Sequence, residues 1–152
     1  MKRPVMWLAT GFGAGLSPVA PGTAGSLVGV LFYLAMAGLA LPLYLGLVLV
    51  LGIIGIWVCG RAGRALAVSD HPSIVWDEIV GLLITMAATP PSWQGLVSGF
   101  ALFRLFDILK PWPVGRIDRG VKGGLGVMLD DVMAGLYALA CLQILRHTFG
   151  IP

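Results

Sequence analysis

The chain has 152 residues, 58% of them hydrophobic and only 11% charged, with a mean hydropathy of +0.94. A soluble domain carries about 25% charged residues, so this composition excludes an ordinary water-soluble protein and points to a single integral membrane domain over residues 1–152. The net charge of +3 favours a surface of anionic lipid and gives no argument for a nucleic-acid partner.

Charge is absent from residues 4–60, 79–103 and 132–145, as expected of lipid-facing helices. The start, Met1-Lys2-Arg3-Pro4, leads into no separate apolar stretch ending in a cleavage site, so no signal peptide is expected. Cys59 and Cys141 sit in apolar runs without a CxxC pattern and read as packing residues.

The segment Thr10–Ser26 is rich in Gly, Pro, Ser and Thr. It predicts a long ordered loop or re-entrant segment rather than a regular helix. Its last part, Pro21 to Ser26, runs into an apolar helix. Free backbone N–H groups and a positive helix end would then lie beside Thr23 and Ser26, a candidate phosphate site. From Leu27 to Val58 the apolar residues suffice for two passes, broken near Gly38–Pro42. The turn Ser69-Asp70-His71-Pro72-Ser73 is expected to cap a helix bearing Trp76-Asp77-Glu78. Ionisable residues at the mouth of an apolar helix are costly and read as functional. That helix is short for a full span and is expected to begin inside the bundle.

Pro90-Pro91-Ser92 ends one helix and caps the next, from about Trp93 to Leu109, on which Arg104, Asp107 and Lys110 fall near one face. After Lys110-Pro111-Trp112-Pro113, a basic loop containing Arg116 leads to a last helix from about Leu125 to His147. The fold class is therefore all-α: a polytopic membrane bundle of about five helices with a loop or re-entrant N-terminal segment. With the N-terminus inside, nine cations from Lys2 and Arg3 through Lys122 fall on one side and only Arg146 on the other, so the first side is cytoplasmic by the positive-inside rule. All seven acids share it.

Between Arg104 and Asp131 lie nine of the seventeen charged residues. Asp77-Glu78 and Asp130-Asp131 are each expected to open a helix, and neighbouring helical residues point about 100° apart. One member of each pair can thus ligate while the other supports it. Hard oxygen donors without a His or Cys set suit Mg²⁺ or Mn²⁺ rather than Zn²⁺. A metal beside Arg104, Lys110 and Arg116 fits phosphate chemistry, where catalysis neutralises charge and orients the attacking oxygen. Metal-bound water and a carboxylate both remain open as the nucleophile. His71, with an unperturbed pKa near neutrality, is a candidate proton donor to a leaving alkoxide. His147 is read as bland, and Trp7, Trp93 and Trp112 as interfacial anchors.

Four ordered motifs carry a resemblance over nearly the whole chain. They are Gly11-Phe12-Gly13 through Ser17-Pro18-Val19-Ala20-Pro21-Gly22-Thr23-Ala24-Gly25-Ser26; Ser73-Ile74-Val75-Trp76-Asp77-Glu78 with Gly81; Phe103-Arg104-Leu105-Phe106-Asp107 with Lys110-Pro111-Trp112-Pro113; and Asp130-Asp131 with Ala134-Gly135. In these the chain resembles the bacterial phosphatidylglycerophosphatase A family of membrane lipid phosphatases. The resemblance implies Mg²⁺-dependent removal of the terminal phosphate of phosphatidylglycerophosphate at the cytoplasmic leaflet of the inner membrane. It also implies a helix surrounded by others, and catalytic or metal roles for Asp77, Glu78, Asp107, Asp130 and Asp131. Val114 stands where such sequences often have Ile. The DGxxAR pattern of CDP-alcohol transferases, the SGH core of histidine lipid phosphatases and a DxDx[TV] nucleophile motif are all absent. The rival from another class is a small transporter or non-catalytic membrane protein using the acids as an ion path, which should place ionisable groups at the midplane.

Overall fold

The computed structural model describes residues 3–152, with the side chain of Arg3 left aside, so Lys2 and the Arg3 guanidinium of the charge count lie outside the described residues. Among the described residues there are seven α-helices: α1 (Arg3–Ala9), α2 (Pro21–Met36), α3 (Leu41–Leu66), α4 (Trp76–Thr85), α5 (Trp93–Leu109), α6 (Val114–Gly120) and α7 (Gly123–Phe149). No strand occurs among the described residues. Helices were expected where α2, α3, α4, α5 and α7 lie; α6 falls where a loop was expected, and α1 precedes the segment read as a loop.

Two helices, α3 and α7, are long and apolar enough to cross a membrane, with mean hydropathies of 2.4 and 1.7. At 1.5 Å per residue each reaches about 40 Å, more than the ~30 Å hydrocarbon core. The α3 helix runs eight residues past Val58, through Arg61 and Arg64. Both arginines are exposed, so long charged side chains leave the helix without being buried.

The ten-residue α4 is the centre of the bundle, and α2, α3, α5 and α7 all pack on it. Only about 15 Å long, it is buried over Ile79, Val80, Leu82 and Leu83, none more than 1% exposed. A short buried helix must find partners for its last carbonyls. Tyr44 of α3 donates its hydroxyl to the Leu83 carbonyl at 2.6 Å, and Tyr33 of α2 donates to Thr89 at 2.6 Å. From α7, Gln143 donates to the Ala87 carbonyl at 3.2 Å and Arg146 to that of Ala88 at 2.9 Å. On its flank, Trp76 Nε1 donates to the Leu51 carbonyl at 3.1 Å.

Close contact between α4 and α7 depends on two glycines. A Cβ at Gly81 would lie 2.5 Å from the Phe103 ring and 3.0 Å from the Asp131 carbonyl, and one at Gly135 would lie 2.6 Å from the Gly81 carbonyl. Small residues at the crossing bring the backbones together, and with them the acids of both helices.

The N-terminal segment is shorter than the sequence suggests. The irregular part covers Thr10–Ala20 with a 3₁₀ turn at Ala14–Leu16, and α2 already starts at Pro21, because proline is preorganised for the first turn and lacks only an N–H that would be unbonded there. The loop packs on the turn before α4, where the Val75 N–H donates to the Ala9 carbonyl at 2.8 Å. That turn does not cap α4 through a side chain: Val75 occupies the N-cap position. Ser92 does cap α5, accepting from the Gly95 N–H at 3.1 Å.

Candidate active site

Three helices bring their charged residues to one end of α4. Asp77 and Glu78 lie in its first turn, Asp131 comes from α7 across the Gly81–Gly135 contact, and Arg104 and Asp107 come from α5. One carboxylate oxygen from each of Asp77, Glu78 and Asp131 lies within 4.8 Å of the others. Asp77 and Asp131 are only 5% and 3% exposed.

Oxygens Asp77 Oδ1, Glu78 Oε2 and Asp131 Oδ2 are buried without a hydrogen-bond partner. Buried ionised carboxylates without partners are strongly disfavoured unless a counter-charge is supplied. Three converging hard oxygen donors fit a divalent cation such as Mg²⁺. These three residues could therefore hold a metal.

Asp130 is directed elsewhere. Its Oδ2 accepts from Lys110 Nζ at 2.8 Å, and Lys110 also donates to Asp118 Oδ1 of α6 at 2.9 Å. The two consecutive acids, which lie inside α7 rather than opening it because the helix already starts at Gly123, thus face different partners, as their angular separation requires. Lys110 terminates α5 in a left-handed conformation at φ 46°, which turns the chain into α6. Burial works against its charged form, but the hydrogen bonds to Asp130 and Asp118 outweigh that and raise its pKa.

Arg104 forms an ion pair with Asp107 one turn on, and Asp107 in turn faces Asp131. The Arg104 Nε is buried and unpartnered. Against it lies the first turn of α2: a Cβ at Gly22 would be 2.6 Å from Glu78 Oε1 and 3.1 Å from Arg104 Nη1. The start of α2, the carboxylates and the guanidinium therefore form one constellation.

The remaining candidates lie differently. Ser26 is buried, but its hydroxyl donates back to the Gly22 carbonyl at 2.9 Å, so it is engaged within the helix. Thr23 is half-buried in the first turn of α2, and Arg116 is exposed on α6. His71 stays in its turn, with Nδ1 2.8 Å from Ser73 Oγ. Two participants were not singled out in the sequence. Asp118 lies in a segment read as a loop, and Gly22 carries no functional group, although its place between Pro21 and Thr23 at a helix start was a signal.

With this geometry in view, the comparisons with known proteins are specific. The family profile "Phosphatidylglycerophosphatase A" matches residues 7–146. The Escherichia coli (strain K12) protein named phosphatidylglycerophosphatase A is 46% identical over 149 residues, covering 97% of this chain and 86% of its own. The Haemophilus influenzae Rd protein of that name is 44% identical over 149 residues, covering 97% and 91%. A Bacteroides thetaiotaomicron relative, provisionally named as a phosphatidylinositol-3-phosphatase, is 38% identical over 163 residues, covering 99% and 100%. No solved structure matches the chain. A profile spanning nearly the whole chain and relatives matched along almost their full length leave one assignment: the chain belongs to the phosphatidylglycerophosphatase A family.

Proposed function

We propose that this protein hydrolyses the terminal phosphate monoester of phosphatidylglycerophosphate, releasing inorganic phosphate and leaving phosphatidylglycerol. The observation that carries the chemistry is the set of three buried, unpartnered carboxylate oxygens on Asp77, Glu78 and Asp131 beside Arg104. The names of the Escherichia coli and Haemophilus influenzae relatives supply the lipid.

In this reading Asp77, Glu78 and Asp131 hold Mg²⁺, which when bound supplies neutralisation of the phosphoryl charge. The chain's own residues do the rest. Arg104, held by Asp107, binds phosphate oxygens through its unpaired edge, and the free N–H groups of the first turn of α2 assist it. Lys110 fixes Asp130 and α6 and contributes positive potential. The lipid alkoxide leaves with a proton, for which His71 is the titratable group in the turn preceding α4.

The site is assigned to the cytoplasmic face of a bacterial inner membrane, in a bundle where α2 and α5 join α3 and α7 in the bilayer and surround α4. Support comes from the distribution of cations: Arg104 and Lys110 lie at the carboxylate end, whereas Arg146 binds the Ala88 carbonyl in the turn beyond the opposite end of α4. This is the asymmetry of the positive-inside rule. Against an ion path stands the apolar stretch beneath the acids, where Ile79, Leu82, Leu83 and Met86 are at most 1% exposed.

The deciding experiment measures phosphate release from phosphatidylglycerophosphate by purified protein in detergent, with Mg²⁺ or with a chelator, for the native chain and Asp131→Asn. Release that requires both Mg²⁺ and Asp131 is expected. Phosphatidylinositol 3-phosphate is assayed in parallel because of the Bacteroides relative, and a preference for it would replace the substrate named above. Folded protein releasing phosphate from neither lipid would refute the reading.

A further inference from the structure

We infer that the groove between α3, α4 and α7 holds one acyl chain of the phospholipid whose phosphate is removed, and that Gly52 sets how much chain it accepts. The inference rests on the lipid-phosphatase reading above and extends it from the headgroup to the hydrocarbon. The groove is a cavity of about 310 Å³ lined by Leu49, Gly52 and Ile56 of α3, Val80 of α4, and Leu125 and Val132 of α7, among other apolar side chains.

Its placement argues for a lipid chain. Val80 lies one turn beyond Asp77 on α4, and Val132 is the neighbour of Asp131 on α7. Ile56 packs near the start of α7, where its carbonyl lies close to Gly124. The groove therefore begins beside the carboxylates and continues away from the charged end, to Leu45 and Ile84. Leu45 to Ile56 covers about 16 Å of α3 at 1.5 Å per residue. That is the depth of one leaflet of a ~30 Å hydrocarbon core. A phospholipid with its phosphate at the carboxylate end has a chain of matching polarity and length to lie along this groove.

Gly52 makes the groove deep. A Cβ there would meet only Val80 Cγ1, at 3.9 Å, so a larger side chain projects into the groove without displacing backbone. Gly46 of the same helix also has open space, with nothing within 4 Å of a Cβ, but it does not line the groove.

The test compares phosphatidylglycerophosphate bearing two six-carbon chains with that bearing two sixteen-carbon chains, each at fixed mole fraction in neutral detergent. Gly52→Leu is expected to lower kcat/KM for the long-chain substrate about fifteenfold, the effect of expelling about two methylenes, with the short-chain rate unchanged. Gly46→Leu is expected to leave both unchanged. Equal losses on both substrates, no loss on either, or the same loss in Gly46→Leu would overturn the proposal.

A readout independent of turnover is photolabelling in phosphatidylcholine vesicles containing phosphatidylglycerol with a diazirine in one acyl chain. Labelled peptides from both Leu45–Ile56 and Leu125–Val132 are expected, with Gly52→Leu removing the label. Label unaffected by the variant overturns the groove assignment even if the native protein proves inactive on phosphatidylglycerophosphate. A Gly52→Leu chain that instead changes size on gel filtration would make the groove a contact between copies.

Discussion

Gly22 and Glu78 touch with no room between them: a Cβ on Gly22 would stand 2.6 Å from Glu78 Oε1. The first turn of α2 is therefore one wall of the carboxylate site. Gly22→Ala must push Glu78 and Arg104 aside, and overpacking of this kind costs about 1–3 kcal/mol. A loss of at least tenfold in kcat/KM is expected, with a modest fall in thermal stability. Gly38→Ala, at a position with nothing within 4 Å of the added carbon, should change activity by less than twofold. Both variants are read by steady-state phosphate release and thermal unfolding.

Asp77→Asn and Asp131→Asn are each expected to abolish turnover. Each also removes one of the like charges crowded within 4.8 Å, so the metal-free variants should unfold at a temperature equal to or higher than the native chain. Added Mg²⁺ should raise the native unfolding temperature, since a ligand at about 100 times its Kd contributes about 2.7 kcal/mol, and should leave both variants unchanged. Persistence of the Mg²⁺ response in both would remove these residues from the metal site.

Lys110→Ala leaves Asp130, itself 5% exposed, without its cation. A buried group deprived of its partner costs about 1–3 kcal/mol, so the variant should be destabilised by that order and show a raised KM. Adding Asp130→Asn should recover part of the stability. An unchanged KM would take Lys110 out of substrate binding.

The same residue sets a pH expectation. Because the folded pKa of Lys110 is raised, its ion pairs stabilise the fold fully below the unfolded value of about 10.4 and fade only as pH rises through the still higher folded value. Stability between pH 7 and 9 should thus carry no slope from Lys110. Urea midpoints across that range should run parallel for the native chain and Lys110→Arg, and a divergence would contradict the assignment.

Gly81→Ala tests how the two acidic helices are held together. The added carbon meets the buried Phe103 ring at 2.5 Å and must part α4 from α5 or α7. Destabilisation of about 1–3 kcal/mol is expected, with Mg²⁺ affinity falling alongside. A shortened side chain in Phe103→Leu/Gly81→Ala should restore some of both.

Much of this arrangement could be read from residue order. The span of α5 follows from Ser92 at one end and the Lys110-Pro111 stop at the other, because a cap and a proline are local signals. Helices α1 and α6 escaped because each is only seven residues long, too short to display a hydrophobic period. Charge in 116–119 and the flanking prolines and glycines made α6 look like loop, whereas its place depends on Lys110 reaching Asp118 and Asp130. Pairing is likewise a tertiary property. That Asp131 turns to Asp77 and Glu78 while Asp130 turns to Lys110 depends on the rotation of α7 about the Gly81–Gly135 contact. The Ser26 hydroxyl, predicted to face a phosphate, spends its hydrogen on the Gly22 carbonyl, a competition common to serines in helices.

The brevity of α4 has a consequence for traffic through the site. Its carboxylates stand above a plug of Ile79, Leu82, Leu83 and Met86, and the far rim is tied off by Tyr33, Gln143 and Arg146. The far side of the carboxylates is thereby closed. Water and phosphate are expected to come and go on the charged side alone, so a phosphate slow to depart would obstruct the next arrival.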